Sequence, residues 1–516
     1  MTVSKELLTD LREKYEKTEK LITEDSKLDP PNEPYKSHYE AKRILLEIEE
    51  NIKNHIETLK TSDTADTNEI QRFQFILGHI SVDLGRVFNF TEETSTAEKY
   101  FNGIIDLLSQ YESHPSAICA YLSALNENAI VWMNRAETEK SKEFLCKAEI
   151  VYNSFMETKL VPLTIHDLFN DRDEVAMNGA KILEKLNTLT LFYLAQVYGS
   201  SGNPEKSAVY CHTTLKKQLL QNDFEPVDWA LNAATLSQFF CSNNRFTEAR
   251  HHLAAATQIL LEYEKDMLKA GMSDEDKKST EDNFQHRLAD VNRCWIKYGL
   301  NLMLESIDRL LRDVEEIDIQ NLKVTSASLL LFGSKIDSAY ENIITDRYLL
   351  DMDDARPVFL TIQKWIEKAK SYYTPDNEAS EYSKIIQDHA LAYKHLAFFE
   401  SDPSNQAKMH KRRIDLLNDL LNMLNKVFYM NIVREILYEL GTAYSEILDI
   451  KLDAFEQNQK QPSAAPVNPQ TLKKINDLIT KSRQTFTEFI ATYYQPKTET
   501  LKCDLAVDEL IPIAYA

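Results

Sequence analysis

The sequence predicts an all-α protein, a right-handed α-solenoid in which helices follow one another in packed pairs. Only 10 of its 516 residues are glycine, which leaves few positions for the tight turns that a strand-rich fold needs. Apolar residues recur at helical spacings of three and four, which places them on one buried face of a helix. This spacing returns along the chain with polar breaks between the copies, which is typical of a repeat protein.

One helix pair is predicted at residues 193–208, YLAQVYGSSGNPEKSA. The glycine and proline of GNP interrupt the helical pattern, so a first helix ends and a second one begins there. The buried stripe of the first helix is formed by Leu191, Leu194, Ala195 and Tyr198.

Three other stretches carry the same frame, which is that of the tetratricopeptide repeat with leucine in place of the large aromatic residue. A small residue stands in each first helix, where close approach to the paired helix leaves little room, and Gly78 and Gly441 fit this role best. Leu194 and Leu236 are 42 residues apart, against about 34 in the standard repeat, so the predicted pairs are divergent and elongated. The three stretches are LNENAIVWMNRAETEKSKEFLCKA, AATLSQFFCSNNRFTEARHHLAAA and ILYELGTAY.

Interruptions in the helical pattern divide the chain. We expect an N-terminal solenoid at 1–282, a joining helix at 283–320 and a C-terminal solenoid at 321–516, with a flexible loop at 457–470. The stretch LDPPNEPY is expected to end the first helix, because proline disfavours the helical conformation in the residue before it. The closing residues LAVDELIPIAYA are not followed by the polar capping helix of a solenoid, so we expect a C-terminally truncated chain whose last helices are missing.

The charge balance restricts the classes of partner. With 59 basic and 81 acidic residues the net charge is −22, which opposes binding to nucleic acid and to anionic membranes. A basic protein partner is favoured, although solubility alone is a simpler explanation of the charge. The chain shows no signal peptide and no apolar run of about 20 residues, so we expect a cytoplasmic protein. Its six cysteines form no CxxC pair, and we expect reduced, mostly buried thiols.

No catalytic constellation is visible. The sequence contains no GxxxxGK[ST], GxGxxG, HExxH or GxSxG motif, so we predict that the protein is not an enzyme and uses no cofactor. The histidine pairs His251/His252 and His389/His395 have spacings that prevent chelation within either pair, and they are interpreted as surface or interface histidines with no metal. The basic cluster KMHKRR at 408–413 is interpreted as a solvated helix face that can neutralise acidic residues of the next repeat.

Some polar residues lie opposite the buried stripes. At about 100° per residue, Tyr193, Gln196 and Ser200 fall on the face of their helix opposite Leu194. The first helix of each tetratricopeptide pair lines the concave groove, so a hydrogen-bonding and acidic groove is predicted there, with simple hydration of these residues as an equal alternative. The corresponding positions in two later repeats are Thr235, Gln238 and Ser242, and Glu439, Thr442 and Glu446.

Several stretches resemble one protein family. YLAQVYGSSGNPEKSAVYCHTTLKKQL, EPVDWALNAATLSQFF and RFTEARHHLAAA closely resemble the kinesin-binding protein family, also called the KIF-binding protein family. EPYKSHYEAKRILLE, RCWIKYGLNLM, QDHALAYKHLAFFESD and KMHKRRIDLL extend the resemblance over residues 33–413, and it is weak at 315–373. From this resemblance the chain is identified as an invertebrate member of the family.

The resemblance implies a function that composition and periodicity do not reach. It implies a cytoplasmic, cytoskeleton-associated solenoid that binds the motor domains of a subset of kinesins, stops them from attaching to microtubules, and supports neurogenesis through axonal microtubule organisation and outgrowth. Other cytoskeletal proteins are considered as further partners. The family's motor contacts correspond by motif to Tyr193, Gln196, Gln218 and Thr235. Together with the helical geometry, this gives a candidate partner-binding set of Tyr193, Gln196, Ser200, Gln218, Thr235 and Gln238.

Two other functions remain open at this stage. A tetratricopeptide co-chaperone would grip acidic C-terminal peptides, which needs Lys, Arg or Asn side chains converging on the inner face, whereas the central repeats offer Gln, Thr and Tyr. A passive scaffold would bind cytoskeletal proteins without affecting motors.

Overall fold

The computed structural model describes residues 2–61, 67–170, 178–267, 274–312, 329–459 and 469–493. All regular secondary structure within these ranges is helical, and most helices pack against the next helix in the chain. The prediction of an all-α fold built from successive helix pairs is therefore confirmed. Contacts divide the chain into two compact units, Met1–Asp223 and Phe224–Ala516, whereas the sequence placed the first boundary after residue 282.

The first unit is built on the helix pairs α3 with α4, α5 with α6, and α8 with α9. Its first helix ends at Thr23, a 3₁₀ helix follows at Asp25–Leu28, and α2 begins at Lys36. The stretch LDPPNEPY thus lies between two α-helices, although the first one ends five residues before it. The helices of this unit are α1 (Thr2–Thr23), α2 (Lys36–Thr61), α3 (Thr67–Phe90), α4 (Thr94–Leu108), α5 (Ile118–Asn134), α6 (Thr138–Thr158), α7 (Ile165–Phe169), α8 (Asn178–Ser200) and α9 (Pro204–Gln221).

The second unit contains α10 (Pro226–Ser242), α11 (Phe246–Met267), α12 (Asp274–Leu311), α13 (Ser338–Glu341), α14 (Met352–Lys370), α15 (Ala379–Phe399), α16 (Pro403–Met423), α17 (Met430–Gln459) and α18 (Pro469–Ala491). Its strongest pairs are α10 with α11, α15 with α16, and α17 with α18. The long helix expected from residue 283 is α12, which begins earlier and packs against α10, α11, α14 and α15.

Several sequence predictions fall on residues outside the described ranges. These are the end of the predicted joining helix, the middle of the predicted loop at 457–470, Cys503 and the closing LAVDELIPIAYA.

The break predicted inside YLAQVYGSSGNPEKSA is present between α8 and α9. Gly202 has a φ of +71°, a left-handed conformation that glycine adopts without the penalty of a Cβ atom. Asn203 then caps α9, since its side chain accepts a hydrogen bond from the backbone N–H of Lys206, and Pro204 occupies the first helical position. The short connection folds α9 back onto α8.

Close approach between paired helices occurs at glycine. A Cβ atom at Gly441 would lie 2.6 Å from the ring of Phe486 on α18, and one at Gly78 would lie 2.9 Å from Leu108 on α4. The predicted role of these two glycines is confirmed. Gly85 approaches its partner helix more closely still, with only 2.4 Å between its missing Cβ and the ring of Phe101.

A largely non-helical segment, residues 329–351, packs on α11 in the second unit. The backbone N–H of Phe332 donates to Nε2 of His251 at 2.9 Å, and that of Asp337 donates to Oε1 of Gln258 at 2.8 Å. The N–H of Leu330 donates to Oε1 of Glu248 at 3.1 Å. Side chains of α11 thus supply the hydrogen bonds that an irregular backbone needs when it is buried.

The glycine contacts give a stability prediction. Gly85→Ala should destabilise the protein by about 1–3 kcal/mol, because the new methyl group overlaps the Phe101 ring by more than the gain in helix propensity can offset. Gly103→Ala on α4 is the matched control, since nothing lies within 4 Å of its added methyl group. That control should stabilise by about 0.5–1 kcal/mol. Urea unfolding of both variants measures the difference, and equal effects of the two substitutions would contradict the close approach.

Candidate functional site

The buried stripe of α8 fixes the direction in which its remaining side chains point. Leu191, Leu194, Ala195 and Tyr198 are all buried, as the spacing predicted. Gln196 and Ser200 are exposed, and Tyr193 is half-buried. The three candidate residues of α8 therefore lie away from the stripe, along one face of the helix.

Hydrogen bonds to both neighbouring helices hold α8 in this rotation. Asn126 on α5 is fully buried and donates to the carbonyl oxygen of Leu186 at 2.9 Å. Thr190 donates in turn to the Asn126 side-chain oxygen at 2.8 Å, and Ser207 on α9 donates to the carbonyl oxygen of Ala195 at 2.8 Å. Since these groups are paired only in one arrangement, a rotation of α8 would leave buried polar atoms unsatisfied.

Tyr193 is the most firmly placed of the candidate side chains. It packs against the cluster of Leu145 and Leu194, and its ring meets that of Phe192 edge-on at 5.2 Å. Burial, and to a lesser extent the carboxylate of Glu127, raise the pKa of Tyr193 above its ordinary value. Its hydroxyl group therefore stays protonated at neutral pH and is available as a hydrogen-bond donor.

Glu127 on α5 is a neighbour of Tyr193 that sequence reasoning missed. Nε of Arg86 donates to Oε1 of Glu127 at 2.7 Å, and NH1 of Arg86 lies 3.4 Å from Oδ1 of Asp83. Tyr15 donates to the other oxygen of Asp83 at 2.8 Å. Glu127 lies opposite the apolar positions of LNENAIVWM, so the helical spacing that selected Gln196 would also have selected Glu127. Its partner Arg86 lies on another helix, and this spacing cannot identify it.

The remaining candidates lie on α9 and α10. Gln218 on α9 is half-buried, next to Lys217, whose ammonium group binds Glu184 at 2.9 Å. On α10, in the second unit, Thr235 is exposed and Gln238 is half-buried. The amide nitrogen of Gln238 donates to the carbonyl oxygen of Cys294 on α12 at 3.3 Å, so this group is used inside the unit. The role of all six candidates in binding stays a prediction.

Two of the three candidate helices, α8 and α10, are close to electrically neutral. Helix α8 carries Lys181, Glu184 and Lys185, whereas Asp228 is the one charged residue of α10. Their outward residues are thus amides and hydroxyls more than carboxylates. The acidic residues expected from the sequence belong to the later repeat on α17.

Those later acidic residues are neutralised by a buried arginine. Arg413 on α16 is fully buried, and its guanidinium group binds both Glu439 and Glu446 on α17. Burial alone would raise the pKa of Glu446, but His410, whose Nδ1 lies 3.2 Å from Oε2 of Glu446, and the charge of Arg413 lower it below the ordinary value. The acidic strip expected at Glu439 and Glu446 is therefore not a free negative surface, because Arg413 on the neighbouring helix neutralises both carboxylates.

The same contacts correct the interpretation of KMHKRR. Lys408 and Lys411 are exposed, as expected for a solvated helix face, but His410 and Arg413 are buried. The suggestion that this cluster neutralises acidic residues of the next repeat is confirmed through Arg413. A buried guanidinium group is stable only when carboxylates of the packed helix reach it.

The histidine pairs contribute to helix interfaces. His251 and His252 are buried on α11, and Nδ1 of His251 donates to Glu341 at 2.5 Å while its Nε2 accepts from the Phe332 backbone. His389 and His395 are enclosed on α15, where burial lowers the pKa of each to about 4. Within the described ranges no three His, Cys, Asp or Glu side chains are placed to hold a metal ion.

The cysteines and the helix lengths complete this description. Five thiols are free in the described part of the chain, and burial raises the pKa of Cys119 to about 12 and of Cys241 to about 11. The thiols of Cys119 and Cys241 therefore stay protonated and unreactive at neutral pH. Among the helices that the structure describes, none is long and apolar enough to span a bilayer.

Comparison with known proteins identifies the family. The family model described as "KIF-1 binding protein C terminal" matches residues 227–516. The KIF-binding protein of Drosophila melanogaster is 40% identical over 527 residues, a match that covers 100% of this chain and 87% of the relative. The chain belongs to the KIF-binding protein family. The resemblance found in the sequence is thereby confirmed.

Vertebrate members and one solved structure match as well. The KIF-binding protein of Gallus gallus is 35% identical, over 90% of this chain and 79% of the relative. The solved structure named "Cryo-EM structure of KIFBP core" is 30% identical and covers 55% of this chain and 87% of its own, with a TM-score of 0.37.

The buried arginine gives a second stability prediction. Arg413→Gln should destabilise the protein by about 2 kcal/mol, because Glu439 and Glu446 lose their shared counter-charge. Lys411→Gln on the same helix is the control, since Lys411 is exposed and pairs with Asp415 at the surface, and its effect should stay within about 0.5 kcal/mol.

The pH dependence distinguishes lost charge pairing from lost packing. In the wild-type protein the pKa of Glu446 is lowered, so its stabilising effect is complete above the unfolded value near 4.5 and is lost as pH falls through the folded value. In Arg413→Gln the carboxylate of Glu446 stays buried but loses the charge that lowers its pKa, so its protonation should narrow the gap in stability to wild type as pH falls from about 7 to about 5. Denaturant unfolding at several pH values measures this gap, and a constant gap would contradict the ion-pair account.

Proposed function

We propose that this protein binds the motor domains of a subset of kinesins and prevents them from attaching to microtubules. It does so without catalysis, by occupying the surface with which a motor grips its track. The protein acts in the cytoplasm on the cytoskeleton and supports neurogenesis, through axonal microtubule organisation and outgrowth. Other cytoskeletal proteins are further partners in this proposal.

The observation that carries the proposal is the relationship to proteins named KIF-binding protein. One such relative matches the whole of this chain, and the family model covers the second unit from Val227 onwards. Relatives named for kinesin binding match this chain along nearly its whole length, and the chain has a fold of helix pairs that can present an extended binding surface. This supports kinesins as the class of partner. The location of the contact within the chain is a separate question, which the exposed polar residues address.

Long-range charge supports the mechanism of blocking. The microtubule surface is acidic, so a motor's microtubule-binding face must be basic. This chain has a net charge of −22, which attracts such a face before contact and steers the encounter. Competition for the basic face then needs no cleavage or modification of the motor.

Local recognition relies on neutral polar groups. Gln196, Ser200 and Thr235 are exposed, and the helices that carry them have almost no net charge. Amide and hydroxyl groups on rigid helices can form directional hydrogen bonds that a wrong partner leaves unpaired. Affinity by this account comes from the overall charge, whereas the choice among kinesins comes from the fit of these side chains.

Two of the lysines near these residues already have carboxylate partners, which weakens the co-chaperone alternative. Lys185 on α8 lies 2.8 Å from Asp223, and Lys217 on α9 lies 2.9 Å from Glu184. Capture of an acidic C-terminal peptide would need such cations to be available to the peptide carboxylate.

A triple substitution tests the proposed contact residues. Gln196→Ala, Ser200→Ala and Thr235→Ala together should weaken binding of a kinesin motor domain at least about tenfold, because buried polar groups of the motor lose their partners. All three residues are exposed, so the fold should be retained. The matched control is Asn153→Ala, Ser154→Ala and Ser404→Ala, three exposed polar residues on α6 and α16. Calorimetric titration measures both, and equal affinities would remove these residues from the site.

Microtubule co-sedimentation tests the function itself. Adding this protein in increasing amounts to motor domain and microtubules should move the motor from the pellet to the supernatant, with this protein beside it. Motor that stays in the pellet together with this protein would indicate a scaffold and contradict the blocking mechanism. Motor that stays in the pellet alone would contradict kinesin binding.

A further inference from the structure

The turn between α16 and α17 exposes two large apolar side chains. Val427 is 80% exposed and Phe428 is 79% exposed. Asn425 fixes this turn, because its side chain accepts from the Val427 N–H at 3.0 Å and its carbonyl oxygen accepts from the N–H groups of Phe428 and Tyr429, both at 3.1 Å. Two adjacent large apolar side chains held exposed on an ordered turn favour a contact surface.

The same turn, with Asn425, forms one wall of a mostly apolar cleft of about 150 Å³. The opposite wall comes from the turn between α14 and α15 and from the beginning of α15. The residues lining the cleft include Pro375, Ala379, Tyr382, Leu420, Met423 and Tyr429.

The volume of this cleft suits one aromatic side chain. A cavity of about 150 Å³ with apolar walls can hold a benzene ring, whereas pockets for small ligands and cofactors measure about 300 Å³ or more. The side chain of Phe428, which belongs to the same surface, has a ring of that size and is not buried inside its own unit. Each molecule thus presents a projecting ring and, beside it, a cleft that can receive one.

The charges on the two sides of the cleft are also complementary. Lys426 stands exposed on the turn that carries Phe428, and Asp376 and Glu378 stand exposed on the turn that contributes Pro375. A surface that carries both members of a complementary pair can bind its own copy about a twofold axis, so that each contact is made twice. An anionic membrane is a poor alternative, because the net charge of −22 repels it.

We propose that two copies of this chain associate through this surface, with Phe428 of each copy inserted into the cleft of the other. Lys426 of one copy then lies near Asp376 and Glu378 of the other. The contact is small and is opposed by the overall negative charge, so the dimer is weak, with a dissociation constant in the micromolar range. Phe428 is the central anchor of this contact.

Sedimentation velocity of the full chain over about 1–100 µM, at about 0.15 M salt, tests the proposal. The wild-type protein should shift from monomer towards dimer as its concentration rises. Phe428→Ala should raise the dimer dissociation constant at least about tenfold without loss of stability, since the side chain is exposed. Leu28→Ala is the control, because Leu28 is 83% exposed in the other unit and should have no effect on the mass.

A mixing experiment tests whether the ring and the cleft belong to one contact. Ala379→Leu should fill the cleft and weaken self-association while leaving Phe428 in place. A mixture of Phe428→Ala with Ala379→Leu should then associate more strongly than either variant alone, because the mixed dimer keeps one ring in one open cleft. A wild-type protein that stays monomeric at every concentration would overturn the proposal. So would self-association that survives Phe428→Ala, or variants that do not restore association on mixing.

Discussion

Close approach between paired helices is the constraint on which the rest of this structure depends. Gly85 against Phe101 and Gly441 against Phe486 let two helices come nearer than any other residue would permit. In each helix pair, one face of the first helix is buried by this packing, and the opposite face remains exposed to solvent or to a partner. On α8, Gln196 and Ser200 are exposed because the stripe through Leu194 is buried against neighbouring helices. The binding proposal therefore rests on the packing of the core before it rests on any surface residue.

Charge is arranged on two scales in this chain. Inside each unit several buried or half-buried ions are paired, as Glu127 is with Arg86 and Arg413 is with Glu439 and Glu446. The excess of −22 is a property of the whole chain and is nearly absent from α8 and α10. Under the proposed function, attraction of a basic partner and discrimination between partners can be changed independently. A repeat protein can in this way keep a strong attractive field while its contact residues diverge.

Helix periodicity predicted much of the fold and of the candidate surface, but not the pairing of charges between helices. The spacing around Leu194 and Leu236 placed Tyr193, Gln196 and Thr235 away from the buried stripes, because a helix has a fixed rotation per residue. The burial of Arg413 was missed, since it depends on two carboxylates that lie on the next helix. The packing of Phe332 on His251 was missed for the same reason, as a non-helical segment has no period from which its partners can be read.

The central claim is that overall charge brings a kinesin motor to this protein and that neutral polar contacts then hold it. Association and dissociation rates of a motor domain, measured over a range of salt concentrations, test this claim most directly. The account predicts an association rate that falls steeply as salt rises and a dissociation rate that hardly changes. A dissociation rate that rises steeply with salt, with an association rate that stays constant, would contradict it.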